Sequence, residues 1–167
     1  QLVLDAPVFT LPGDRLILRN AQASRTIAGG MVLDPYAPAR KRRGPERMAY
    51  LDAMEQLINR HDFTALIAQA PHGIARSQLV RLSGQALSDA SIANTIQLPT
   101  SGGDALVLNT KRWQQLQTQV IDSLTRFHEK SPDEPGVNAA RLRRMAFPGL
   151  QQSSYDALYQ GLVDALL

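Results

Sequence analysis

Residues 24–43 read SRTIAGGMVLDPYAPARKRR. The first half is strand-like: Thr26, Ile27, Met31, Val32 and Leu33 are β-formers, with Gly29 and Gly30 among them. It reads as the closing strand of a β-barrel. The second half is broken by Pro35 and Pro38, which cannot donate ladder hydrogen bonds and stiffen the exit. It ends in Arg40, Lys41, Arg42 and Arg43. Strand signals precede this stretch and helical periods follow it, so it divides the chain into pieces of different kind.

Working toward the N-terminus, Leu16, Ile17 and Leu18 form a second apolar run. Pro12-Gly13-Asp14 is a turn signal, and Leu2, Val3, Leu4, Val8 and Phe9 form a further run. The paired glycines predict a bulge or a close approach of two backbones. Three strands do not bury a two-sided core by themselves. Residues 1–34 are therefore expected to end a larger sheet or barrel, with an edge left to cover. The first residue is Gln1 rather than Met, so the chain is expected to be part of a longer one, and it shows no leader of basic and apolar character.

Working toward the C-terminus, Pro45 suits a first helical position and Glu46 the positive end of a helix dipole. Met48, Leu51, Met54, Leu57 and Ile58 then recur at helical spacing to about Arg60. Short helices are predicted over 63–69, 75–82 and 88–93, the last capped by Ser88. Strands over 95–98 and 105–108 flank Pro99-Thr100-Ser101-Gly102-Gly103-Asp104, a hairpin signal. Helices followed by a hairpin give the order of a winged helix, a helix-turn-helix variant. A helix capped by Thr110 follows, with Trp113, Leu116, Val120, Leu124 and Phe127 as its apolar stripe. After a loop at 131–136, helices are predicted over 139–146 and 151–166, the last burying Tyr155, Leu158, Leu162 and Leu166.

The chain repeats itself at an offset of 63 residues. Without a gap, Tyr50 falls on Trp113, Leu57 on Val120, Ile58 on Ile121, Gly73-Ile74 on Gly136-Val137, Leu79 on Leu142 and Leu87 on Leu150. Tandem modules of one architecture explain this. The first module's wing would map to about 158–171, so the second module is expected to stop before its own wing. The fold class is α+β, mostly α: partial barrel strands followed by two tandem winged-helix modules.

Composition narrows the function. The 167 residues are 44% hydrophobic but only 5% aromatic, so any core is aliphatic. With no cysteine, disulfides, thiolate metal sites and cysteine nucleophiles are excluded. No apolar run approaches a membrane span of about 20 residues. There is no G-x-x-x-x-G-K-[ST] loop and no H-E-x-x-H, and His61, His72 and His128 are isolated. No Ser/His/Asp arrangement can be argued, so no active site is expected in this chain.

The net charge of +3 is clustered. Arg40, Lys41, Arg42, Arg43 and Arg47 form one block, and Arg141, Arg143 and Arg144 another. Each suits a polyphosphate partner, or else a solvated linker and a solvated helix face. A duplex-reading winged helix carries basic and polar side chains on its third helix. The third helix of the first module would hold Ser88, Asp89, Ser91 and Asn94, without a cation.

Several phrases together carry a family resemblance. Asp14-Arg15-Leu16-Ile17-Leu18-Arg19 and Ala23-Ser24-Arg25-Thr26-Ile27-Ala28-Gly29-Gly30 are similar to the final strands of the third domain in the EF-Tu class. Val32-Leu33-Asp34-Pro35, the basic run after it, Trp113, Phe127-His128, Asp133-Glu134-Pro135-Gly136 and Arg141-Leu142-Arg143-Arg144-Met145-Ala146 resemble bacterial selenocysteine-specific elongation factors. The resemblance covers essentially the whole chain.

The resemblance implies a parent GTPase that uses GTP and magnesium, none of them in this chain. It also implies a cytoplasmic factor whose partners are selenocysteinyl-tRNA, the ribosome and a hairpin in selenoprotein mRNA, recognised at a UGA codon by modules outside the chain. The segments would be barrel strands (1–34), a basic neck (35–44), a first winged-helix module (45–109) and an incomplete second (110–167). The loop before the closing strand faces the tRNA T-stem in the wider class, which implies nucleic-acid contacts for Arg19, Asn20, Gln22, Ser24 and Arg25. Arg40, Lys41, Arg42 and Arg43 are candidates for phosphate contacts. For Arg25 a pairing within the barrel has equal weight. A winged-helix DNA-binding pair and a protein-interaction scaffold are the alternative readings.

Overall fold

The computed structural model describes residues 2–148, 150 and 152–166. Strands β1 (Arg15–Arg19) and β2 (Thr26–Met31) pair antiparallel, with Leu16 opposite Gly30 and Leu18 opposite Ala28. Leu16 and Leu18 are half-buried while Arg15, Ile17 and Arg19 are exposed, the period-2 pattern of a strand with one covered face. The register shifts between Leu18 and Arg19, leaving Ile27 as the extra residue. The bulge therefore lies before the paired glycines rather than at them. Ahead of β1, Asp14 holds the turn by accepting from the Leu11 backbone and the Thr10 hydroxyl, which keeps its carboxyl below the usual range. The apolar run at residues 2–9 forms no strand: Val3 is 79% and Phe9 90% exposed. A strand needs a ladder partner, and among the described residues nothing extends the two-stranded sheet.

The neck leads into α1 (Pro45–Arg60), which starts on Pro45 as its missing N–H allows and stops at His61 in the left-handed region. After α2 (Thr64–Gln69) come β3 (Ile74–Ala75), α3 (Arg76–Ser83), a 3-10 turn at Asp89–Ile92, and the hairpin β4 (Thr95–Pro99) and β5 (Ala105–Asn109). The sheet order is β3-β5-β4, all antiparallel, so the wing hairpin closes back on the short strand before α3. Asp104 in the wing turn accepts from the Ser77 backbone and hydroxyl, fastening the turn to the start of α3. The hydrogen bond from the Ser77 hydroxyl is the main reason its carboxyl stays below the usual range.

β5 passes directly into α4 (Thr110–Lys130), followed by α5 (Ala139–Ala146) and α6 (Gln152–Leu166). The cap of α4 is not Thr110 but Asn109, whose side chain accepts from Lys111 N and Arg112 N. The Thr110 hydroxyl instead donates to the Asn94 carbonyl at 2.7 Å. The expected burial of Leu166 lies outside the described side chains, whereas Tyr155, Leu158 and Leu162 are buried.

The 63-residue offset places α3 on α5 with identical bounds, and the start of the 3-10 turn on the start of α6. There the match ends. Residues 89–92 make one tight turn before β4, whereas the same offset leads into a 15-residue helix. The expected place of a second wing from residue 158 is therefore helical, and the described part of the second module is three helices without a hairpin.

Two cores meet on one sheet. Val107 packs with Met54, Leu57, Phe63, Ile67 and Leu79 of the first module. Its strand neighbours Leu106 and Leu108 face the other way and pack with Trp113, Leu116, Leu142, Tyr155 and Leu158 of the second. The wing hairpin is thus a common wall. Gly161 in α6 permits the close fit, since a Cβ there would stand 2.7 Å from Leu98 Cδ2 and 3.3 Å from the Trp113 ring. Gly73, at φ +86°, brings its turn onto the same wall: a Cβ there would meet Leu106 Cγ at 2.8 Å.

Candidate nucleic-acid interface

The β1–β2 turn gathers five of the candidate residues. Asn20 organises it: its side-chain oxygen accepts from Arg25 N, its amide nitrogen donates to Gln22 Oε1 and Ser24 Oγ, and its backbone N–H donates to the Arg25 carbonyl. Arg19 donates to the Ala23 carbonyl at 3.0 Å, and Ala23 sits at φ 55°. Residues 21–25 are exposed. The turn is therefore preformed: Arg25 is held in it by its backbone, while its side chain forms no ion pair among the described residues.

Arg40, Lys41, Arg42 and Arg43 are also exposed. Lys41 has φ 53°, and Arg42 Nε donates to the Ala39 carbonyl, so the neck is bent rather than extended. Its ends are tied together. Asp34 accepts from the Tyr36 backbone through Oδ1 and forms an ion pair with Arg47 through Oδ2 at 2.6 Å, both side chains being mostly buried. Arg47 also lies 5.3 Å from the Tyr50 ring centre. Arg47 thus leaves the basic block and becomes a strut between the barrel strands and α1. Burial, with Asp34 next in effect, pushes the Tyr50 hydroxyl above its usual range.

Arg42 and Arg43 line one groove with Leu16, Leu18, Gly29 and Gly30 of the hairpin. The neck leaves the far end of the β1–β2 hairpin, and five residues at about 3.3 Å each separate its start from the turn. The second sequence block is divided. Arg141 pairs with Glu134 and lies 4.5 Å over the Phe127 ring, whereas Arg144 is exposed.

Neither helix at a DNA-reading position is available. In the first module it is reduced to the four residues of the 3-10 turn, too short to lie in a major groove. In the second, α6 is packed against β4 and carries Asp156 and Asp164 without Arg or Lys. The isolated histidines have structural surroundings: His61 ends α1, His72 meets the Phe147 ring edge-on, and His128 meets Phe127. Among the described residues no three His, Cys, Asp or Glu lie together as metal ligands, and no helix is long and apolar enough to cross a membrane. The sequence has no G-x-x-x-x-G-K-[ST] run, the loop that cradles nucleotide phosphates in P-loop proteins.

What these features define is a class of protein: a two-stranded hairpin joined by a basic segment to a winged helix whose sheet is shared with three further helices, with no free duplex-reading helix among the described residues. Comparison with known proteins gives the particular family. A model of the selenocysteine-specific elongation factor β-barrel domain matches residues 1–39, and one of the elongation factor SelB winged helix matches residues 121–166. The selenocysteine-specific elongation factor of Escherichia coli (strain K12) is 32% identical over 150 residues, covering 89% of this chain and 24% of that protein. Its counterpart in Haemophilus influenzae is 29% identical over 153 residues, covering 87% of this chain and 23% of that protein. The chain belongs to the family of selenocysteine-specific elongation factors, and it spans about a quarter of the length of the curated relatives it matches.

Proposed function

We propose that this chain is the joining arm of a factor that delivers selenocysteinyl-tRNA to the ribosome at UGA codons. In this reading the barrel strands belong to the tRNA-carrying body, a GTPase using GTP and magnesium elsewhere in the protein. The winged-helix modules lead toward the part that grips the mRNA hairpin, and the factor works in the cytoplasm. The chain itself carries no catalytic step. Its segments are residues 1–34, 35–44, 45–109 and 110–167.

The observation that carries the proposal is the shared wing sheet. An arm must hold a distance and an angle, which a flexible linker does not. Two modules whose cores meet on β5, with no linker between Asn109 and Thr110, do so. The blocked and shortened third helices disfavour a DNA-binding pair.

Arg40, Lys41, Arg42 and Arg43 supply non-specific phosphate contacts, and Arg19, Asn20, Gln22, Ser24 and Arg25 a preformed turn for the tRNA. The test is binding of aminoacylated tRNA by the intact factor after residues 40–43 become alanine. Weaker binding and a shallower salt dependence are expected, by about 0.9 in slope per lost duplex phosphate contact. Unchanged binding removes the neck from the interface.

A further inference from the structure

α4 turns one face into the second core through Trp113, Leu116, Val120 and Phe127, and leaves the opposite face open. That open face is a stripe at helical spacing: Lys111, Gln114, Gln115, Thr118, Asp122 and Arg126, all exposed. With Met145 of α5 as part of its wall, the stripe lines a groove of about 540 Å³. Gln119 fixes the two helices at this groove by donating its amide to the Ala146 carbonyl.

The lining is chemically specific. Lys111 and Arg126 stand 15 residues apart, about 22 Å along the helix axis at 1.5 Å per residue. Neither forms an ion pair, and neither they nor Gln114 make a side-chain hydrogen bond, among the described residues. Asp122 is the one carboxylate in the lining. Amides and hydroxyls fill the space between the cations, and the one apolar side chain, Met145, is 36% exposed. Protein partners seat on apolar and aromatic anchors, which this groove lacks. Cations flanking amide and hydroxyl side chains are the groups that contact phosphates and sugars.

We propose that the α4 groove is a docking site for the backbone of double-helical RNA. It is separate from the neck, with Lys111 and Arg126 each contacting a phosphate and Gln114 and Gln115 the ribose-phosphate between them. Recognition is by shape and charge and carries no base preference.

The test uses the full chain, a fluorescein-labelled RNA duplex of about 24 base pairs, and salt from about 50 to about 200 mM. Loss of two phosphate contacts in Lys111→Gln/Arg126→Gln lowers the salt slope by about 1.8, so this variant loses about tenfold less affinity across the range than the unaltered chain. Asp122→Asn, which removes the opposing charge, tightens binding. Both are repeated with residues 40–43 as alanine, so that failure of the neck and failure of the groove read out separately, and circular dichroism checks the fold. An unchanged slope in the double variant overturns the proposal, as does weaker binding by Asp122→Asn. Absence of RNA binding, or displacement of RNA by poly-glutamate at equal charge, overturns it as well.

Discussion

Gly161→Leu in α6 is expected to break the contact between the two modules while leaving each helix able to form. A Cβ at this position would lie 2.7 Å and 3.1 Å from the two methyl carbons of Leu98 and 3.3 Å from the Trp113 ring. Comfortable carbon contacts are about 3.5–4.0 Å, so even the first added atom requires a shift of roughly 1 Å. Leu98 is only 7% exposed and Trp113 8%, so neither has free space to move into. Overpacking of this kind costs about 1–3 kcal/mol, and leucine adds three further carbons, placing it at the upper end. Replacing glycine inside a helix returns about 1 kcal/mol of helix propensity. The net loss is about 2 kcal/mol, or a urea midpoint lower by about 1 M for a slope of about 2 kcal/mol/M. The assay is urea unfolding followed by Trp113 fluorescence, since Trp113 is the lone tryptophan and sits at the altered contact. Far-UV circular dichroism should keep its native helical signal while the Trp113 emission shifts. A wild-type midpoint with unchanged emission would refute the packing argument.

Two further outcomes follow from the neck and from the contact between modules. Arg47→Ala leaves the mostly buried Asp34 carboxylate without its partner, and should cost about 2 kcal/mol, between an exposed pair and a fully buried one. Trypsin should then cut faster within residues 40–43, and an unchanged cleavage rate contradicts the strut. Burial first, and Arg112 second, hold His72 below its ordinary value. The neutral ring is thus favoured in the folded chain, so stability is full above about pH 6.5 and declines as pH falls through the lower folded value. His72→Gln should flatten the fall between about pH 7 and pH 5 in unfolding midpoints, and an unaltered pH profile would exclude His72 as its source.

Much of this architecture is written in local pattern. Pro45, the stripe on α4 and the turn at residues 99–104 each announce an element through backbone chemistry or a helical period, and the elements stand where those signals lie. The repeat is legible for the same reason: α3 and α5 occupy matching positions at an offset of 63. It fails after Ile92, because composition does not distinguish a 3-10 turn that yields to a strand from the first turn of a longer helix. The run at residues 2–9 has strand composition but no ladder partner, and a strand is made by its neighbour as much as by its own residues.

The shared wall left two faint marks. Ala105-Leu106-Val107-Leu108 is apolar without alternation, the pattern of a strand covered on both faces. Gly161 interrupts an otherwise helical run, which often marks close packing. What lies against each was not legible. For the candidate interface, the sequence pointed to Arg25 and the neck cations but could not separate those at work inside the fold, and it did not single out Lys111 or Arg126. Arg47 and Arg141 belong to ion pairs, whereas Arg25, Lys111 and Arg126 form none among the described residues.

The central claim is that the two modules form one cooperative body through the wing sheet, and Leu79→Ala tests it most directly. Leu79 is fully buried in the first core, whereas Trp113 reports from the second. The substitution costs about 3 kcal/mol. If the sheet couples the cores, Trp113 fluorescence and circular dichroism should shift together, by about 1.5 M in urea. A Trp113 transition that keeps its wild-type midpoint while circular dichroism shows a separate, earlier step would contradict the account.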